Sequence, residues 1–77
     1  MTWVYADSSA VERFRYDKAT ETLVIQFKKG TVYQYFFVPY PVFAAFVSHV
    51  KSGGSAGQYF NEAIKDCYQY VQVGVNK

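Results

Sequence analysis

A single cysteine, Cys67, excludes a disulfide-held scaffold and a cysteine-based zinc site, and it suits a reducing compartment. Long apolar runs are missing as well. No window approaches the roughly 18 uninterrupted apolar residues of a membrane-spanning helix, and the chain does not start with the basic stretch and apolar run of a secretion signal. A cytoplasmic protein without a membrane partner is therefore expected. Charge is scarce, eight Lys and Arg against six Asp and Glu, and a net +2 is too small to dictate a nucleic-acid partner by itself. What the sequence has in excess is aromatic rings. Eight Tyr, seven Phe and Trp3 make up 21% of 77 residues. A chain this short buries only about 60% of its unfolded surface, so there is room for one domain, residues 1–77, and each ring contributes a large buried area with few rotors. Such a composition excludes disorder.

The order of residues gives the elements. In 10–17, Phe14 and Tyr16 alternate with Arg13 and Arg15 as in a half-buried strand, and a bulge near Glu12 returns Val11 to the core side. Asp17 to Glu21 has the polarity of a hairpin loop. Leu23, Ile25 and Phe27 form a second alternating strand, closed by a Lys29-Gly30 turn. The third runs from Thr31 to about Val38, with Tyr33, Tyr35 and Phe37 on the core face. Pro39 and Pro41 end it, and Pro41 starts a helix whose stripe is Phe43, Phe46, Val47 and Val50. After a Gly-rich connector, read as a flexible linker, Ser55 and Gln58 have the spacing of a capping box. Phe60, Ala63, Ile64 and Cys67 then form the buried stripe of a second helix, and the tail after Cys67 reads as extended. The conformation of residues 1–9 stays open. The fold class is α+β: a three-stranded antiparallel meander followed by two short helices on one face, with a short C-terminal extended strand.

Several segments, in order, resemble the KTSC domain, a small module appended to some lysyl-tRNA synthetases and also found as free-standing short proteins. Ser8-Ser9 and Tyr16-Asp17 look like its S-S…Y-D, and Leu23-Val-Ile-Gln-Phe27…Gly30 like its L-x-V-x-F…G. Tyr33-Gln-Tyr35 with Val38-Pro39 looks like Y-x-Y-x-x-V-P. Ser55-Ala-Gly-Gln-Tyr-Phe-Asn61, followed by Ile64-Lys65 and Tyr68, looks like S-x-G-x-Y-F-N-x-x-I-[KR]-x-x-Y. The resemblance covers about 8–70, leaving 1–7 and 71–77 as terminal segments, and the connector 48–54 is longer than the family's short junction. It implies the fold just derived, and the synthetase connection implies contact with nucleic acid.

Catalytic constellations are missing. His49, the only imidazole, falls on the exposed flank of the first helix, and Cys67 is expected to be an inert packing thiol. Asp7, Asp17 and Glu21 suit loop caps, and Glu62 with Asp66 forms an exposed pair of like charges. A non-enzyme without metal or cofactor follows. The outer sheet face is more informative: Arg13, Arg15, Val24, Gln26, Lys28, Val32, Gln34 and Phe36 combine cations, amides and an aromatic ring. Such a face suits single-stranded DNA or RNA with little sequence preference, cations meeting phosphates and Phe36 stacking a base. Asn61 and Lys65, on one stripe of the second helix, are accessory candidates. The alternative is a protein-interaction or self-association module, a homo-oligomer whose interface uses Trp3, Tyr5, Val32, Tyr68 and Tyr70.

Overall fold

The structure is a computed structural model describing residues 2–6 and 8–75, Val75 by its backbone alone. Asp7, expected to cap a loop, lies outside the described residues. Five strands occur in the order β1 (Val4–Tyr5), β2 (Val11–Asp17), β3 (Thr22–Phe27), β4 (Thr31–Tyr35) and β5 (Tyr70–Val75). Helices α1 (Tyr40–Lys51) and α2 (Ala56–Ala63) lie between β4 and β5. Every pairing is antiparallel and the spatial order is β1-β2-β3-β4-β5. The class is α+β as expected, but the sheet has five strands. The segment around Trp3 adds one to the β2 edge, and the extended tail adds the other to the β4 edge.

The meander is held by the features its sequence announces. The register slips between Val11 and Arg13, so the bulge puts Val11 back among fully buried side chains. Asp17 Oδ1 accepts from the Ala19 amide at 3.0 Å within the hairpin loop. Gly30 takes φ +102 in the β3–β4 turn, a conformation that glycine adopts without steric cost. On the inner face Phe14, Leu23, Ile25 and Tyr35 are buried against Phe46 of α1 and Phe60 and Ile64 of the α2 segment. Phe14 stacks on Phe46 with ring centroids 4.0 Å apart.

Four expectations are corrected. The third strand ends at Tyr35, and Phe37 is 75% exposed with φ +57. Val38 takes the core position because its amide donates to the Glu21 carbonyl at 2.9 Å and its carbonyl accepts from the Tyr16 hydroxyl. The chain must turn at Phe37 to make both bonds. The second correction is that α2 stops at Ala63, so Cys67 lies in the following turn and is exposed. Ile64 and Lys65 both donate to the Phe60 carbonyl, which closes the helix and swings the chain toward β4.

Third, the Gly-rich connector, read as a plain linker, is hydrogen-bonded back to the end of α1. The amides of Ser52, Gly53 and Gly54 donate to the Ser48, Val50 and His49 carbonyls, and His49 Nε2 lies 3.1 Å from the Ser55 carbonyl oxygen. Ser55 Oγ then accepts from the Gln58 amide at 3.2 Å and caps α2. Asp66, expected to pair with Glu62 on the second helix, supplies the fourth correction: it is exposed but lies beyond the end of α2 and lines a cleft together with Lys65.

Candidate functional site

The outer sheet face is partly occupied by the chain's own N-terminal segment. Val4 pairs with Phe14 and Tyr5 with Arg13, so alternation brings Trp3 and Tyr5 to the side of Arg13 and Arg15. The Trp3 ring centroid lies 3.9 Å from the Arg13 guanidinium carbon and 4.6 Å from that of Arg15. Arg13 Nε donates to Gln26 Oε1 at 2.6 Å, and its Nη1 lies 3.4 Å from the Tyr5 hydroxyl. Gln26 and Val24 are buried, and Arg15 Nε is enclosed with no hydrogen-bond partner among the described residues. Val32, Gln34 and Phe36 are half-buried, and Lys28 is exposed just past β3. Arg13 is thus already engaged with an indole, a phenol and an amide and Arg15 with the indole, while Lys28 stays exposed.

A second assembly lies on the inner face, where the sheet and α2 diverge. Phe27, Tyr33, Tyr35 and Tyr70 from β3, β4 and β5 face Gly57, Phe60, Asn61, Lys65 and Asp66 across a cleft of about 330 Å³, with Ala10 and Lys29 completing its lining. Register explains the convergence. Phe27, Tyr33 and Tyr35 share the inner face, and pairing of Tyr35 with Tyr70 adds a ring from β5.

The rings form a mutually oriented wall. Tyr33 meets Tyr70 edge to face with centroids 5.4 Å apart, Phe27 meets Phe60 likewise at 5.2 Å, and Tyr35 stacks on Tyr70 at 5.2 Å. The Tyr35 hydroxyl is pushed up to about 12, chiefly by burial and then by Tyr70, Tyr33 and Asp66, so it remains a neutral donor. Lys29, Asn61 and Lys65 are exposed, and among the described residues their side chains make no hydrogen bond or ion pair. Gly57 keeps part of the wall low. A methyl added there would sit at ordinary contact, 3.5 Å from Ala10 Cβ, so the backbone does not demand glycine at this position.

Of the residues singled out in the sequence, Asn61, Lys65 and Tyr70 come together here, while the arginines lie on the opposite face. Tyr68 packs against the core and helps raise the hydroxyl of Tyr59, after the larger effect of burial. Lys29, Tyr33, Tyr35, Gly57 and Asp66 were missed as site residues. Residues 7–70 match the family model described as the KTSC domain. The chain belongs to the KTSC family. Lysine–tRNA ligases from Trichormus variabilis and Nostoc punctiforme are each 36% identical to it over 67 residues. The aligned part is 87% of this chain and 11% of those proteins, so the KTSC chain spans about a tenth of the curated relatives it matches. A crystal structure of a KTSC domain protein from Yersinia pestis superposes with a TM-score of 0.80 at 27% identity, covering 95% of this chain and 97% of that one.

Phe27, Tyr33, Tyr35, Gly57, Phe60, Asn61 and Lys65, all within the matched residues 7–70, line the cleft. Among the described residues no group of His, Cys, Asp and Glu has the geometry of a metal site, and no helix is long and apolar enough to cross a membrane.

Proposed function

We propose that this KTSC domain is a non-catalytic module that binds single-stranded nucleic acid, RNA in the first instance, in the cleft between its sheet and α2. The carrying observation is the cleft itself: a wall of aromatic rings beside exposed Lys29, Lys65 and Asn61. Ring faces and edges suit an unstacked base regardless of its identity, lysines suit the flanking phosphates, and an amide can hydrogen-bond a base edge. A cleft of this size takes an unpaired nucleotide and not a duplex. The lysine–tRNA ligases, whose name couples lysine to tRNA, favour RNA over DNA.

A fluorescence-anisotropy titration with labelled single-stranded RNA, single-stranded DNA and duplex tests the reading. If two lysines neutralise two phosphates, log affinity should fall with log salt at a slope of about −1.4, a roughly sevenfold loss between about 50 and 200 mM. Lys29→Ala with Lys65→Ala should remove most of that slope. No binding of any single strand at about 100 μM protein and low salt would overturn the proposal, because even non-specific binders reach that range. Loss of binding in Arg13→Ala/Arg15→Ala, with affinity kept in the lysine pair, would move the site to the outer face.

A further inference from the structure

We infer that β5 is a self-pairing edge, through which two copies of this chain join their sheets about a twofold axis at Gln72. The inference does not depend on what the cleft binds. A sheet ordered β1-β2-β3-β4-β5 has two edges, and they differ. β1 is only two residues long, a length that offers little to pair with. β5 is six residues, Tyr70-Val-Gln-Val-Gly-Val75, without charge or proline. Val71 and Val73 are exposed, and so is Tyr70. Natural sheets guard such edges with lysine, proline, short length or a bulge, and here only the last is present. The register slips opposite Val32 and Tyr33, with Gly74 at φ +154, which leaves Tyr70 to Gln72 in regular pairing.

The direction of the free backbone groups selects the occupant. Phe36 donates to the Gln69 carbonyl at 2.9 Å, so Gln69 faces β4. Along an antiparallel ladder the backbone groups of successive residues point to opposite sides. Val71 therefore also faces β4, and Tyr70 and Gln72 turn their N–H and C=O groups outward.

A second β5 laid antiparallel about a twofold at Gln72 lets the two Gln72 residues exchange both N–H···O=C bonds. Tyr70 stacks on inner-face Tyr35 and Val71 pairs with outer-face Gln34, so Val71 belongs to the outer face, and Val73 is the extra residue of the register slip. The same axis sets Val71 of one copy opposite Val73 of the other, twice. Such an isologous contact needs no complementary charge, and β5 carries none to repel it. The axis would also put both clefts on one side of a ten-stranded sheet.

An edge-to-edge contact buries much less than the roughly 1,600 Å² of a standard interface, so a dissociation constant on the order of 100 μM is expected. Sedimentation velocity over a concentration series should show a monomer–dimer equilibrium. Val71→Lys with Val73→Lys, which sets like charges opposite one another, should weaken it at least about tenfold. A monomer at about 1 mM, or a dimer indifferent to this pair, overturns the proposal, since a contact that weak would lie outside any specific interface class.

Cross-linking supplies a readout that does not depend on the lysine variant folding. In a Cys67→Ser background, Gln72→Cys should form a disulfide with its own copy, because residues in a hydrogen-bonded antiparallel pair have Cα atoms about 5.5 Å apart, within disulfide reach. Tyr5→Cys on the β1 edge should not. Equal cross-linking at both edges, or none at Gln72→Cys, overturns the assignment.

Discussion

The Tyr16 hydroxyl donates to the main-chain carbonyl of Val38 at 2.6 Å, a buried bond that joins β2 to the junction between β4 and α1. It fixes the place where the sheet hands over to the helices. Tyr16→Phe keeps the ring, which stacks on Phe43 at 4.9 Å, and leaves the carbonyl without a partner. The loss should be about 1–3 kcal/mol, seen as a fall in denaturation midpoint. An unchanged midpoint would mean that water reaches Val38.

Phe37 makes the opposite case. It is exposed and left-handed, a conformation a bulky residue adopts only under constraint, and asparagine tolerates it better. Phe37→Asn should be neutral or stabilising by up to about 1 kcal/mol. A core phenylalanine lost to a small side chain costs roughly 3–5 kcal/mol, so chemical denaturation separates the two placements cleanly.

Trp3 covers Arg13 and Arg15. Trp3→Ala removes both cation–π contacts, expected to cost about 1 kcal/mol in an equilibrium melt. RNA affinity should be unaffected if the cleft is the site. A large gain in affinity on removing the indole would show that it was shielding a competing cationic platform.

Gly57 is spared by sterics but not by helix propensity. Gly57→Ala should stabilise the chain by about 0.5–1 kcal/mol, since a methyl fits against Ala10 and alanine favours the helix. The same methyl narrows the cleft, so single-stranded RNA should bind several-fold more weakly in anisotropy. Greater stability with unchanged binding would remove Gly57 from the site.

Alkaline pH probes the cleft wall. The Tyr35 hydroxyl stands at about 12, against 10.0 for an unperturbed tyrosine. Its contribution to stability is therefore fully present below pH 10 and is lost as pH rises toward 12, because the unfolded chain releases the proton first. The steepest fall from this one group is about 1.4 kcal/mol per pH unit. Tyr35→Phe, compared with its own stability at neutral pH, should lose less over that interval in a pH series of thermal melts. An identical decline in both chains would rule out Tyr35 as a source.

Alternation and helical spacing made much of the fold legible in advance. Phe14, Leu23 and Ile25 were placed on the core face, the bulge was located beside Glu12, and Ser55 was identified as the cap of the second helix. These are local matters, decided by side-chain period and by hydrogen bonds within a few residues. The strand end at Tyr35 and the exposure of Phe37 were not legible, because both are decided by partners remote in sequence, Glu21 and Tyr16 for Val38, and the early stop of α2 comes from Ile64 and Lys65 sharing the Phe60 carbonyl, which side-chain spacing does not reveal.

The aromatic excess divides along the same line. The sequence by itself determined that the rings would build a single small α+β core and which face of β2 and β3 they would occupy, since period two admits no other choice once one face is apolar. Only the tertiary structure decided that β5 returns to β4, bringing Tyr70 beside Tyr33 and Tyr35 and opposite Asn61 and Lys65, and that Trp3 folds back over the arginines. Those pairings join segments from about ten to nearly forty residues apart. Their free energy comes from backbone ladders and ring contacts that exist only once the chain has closed on itself.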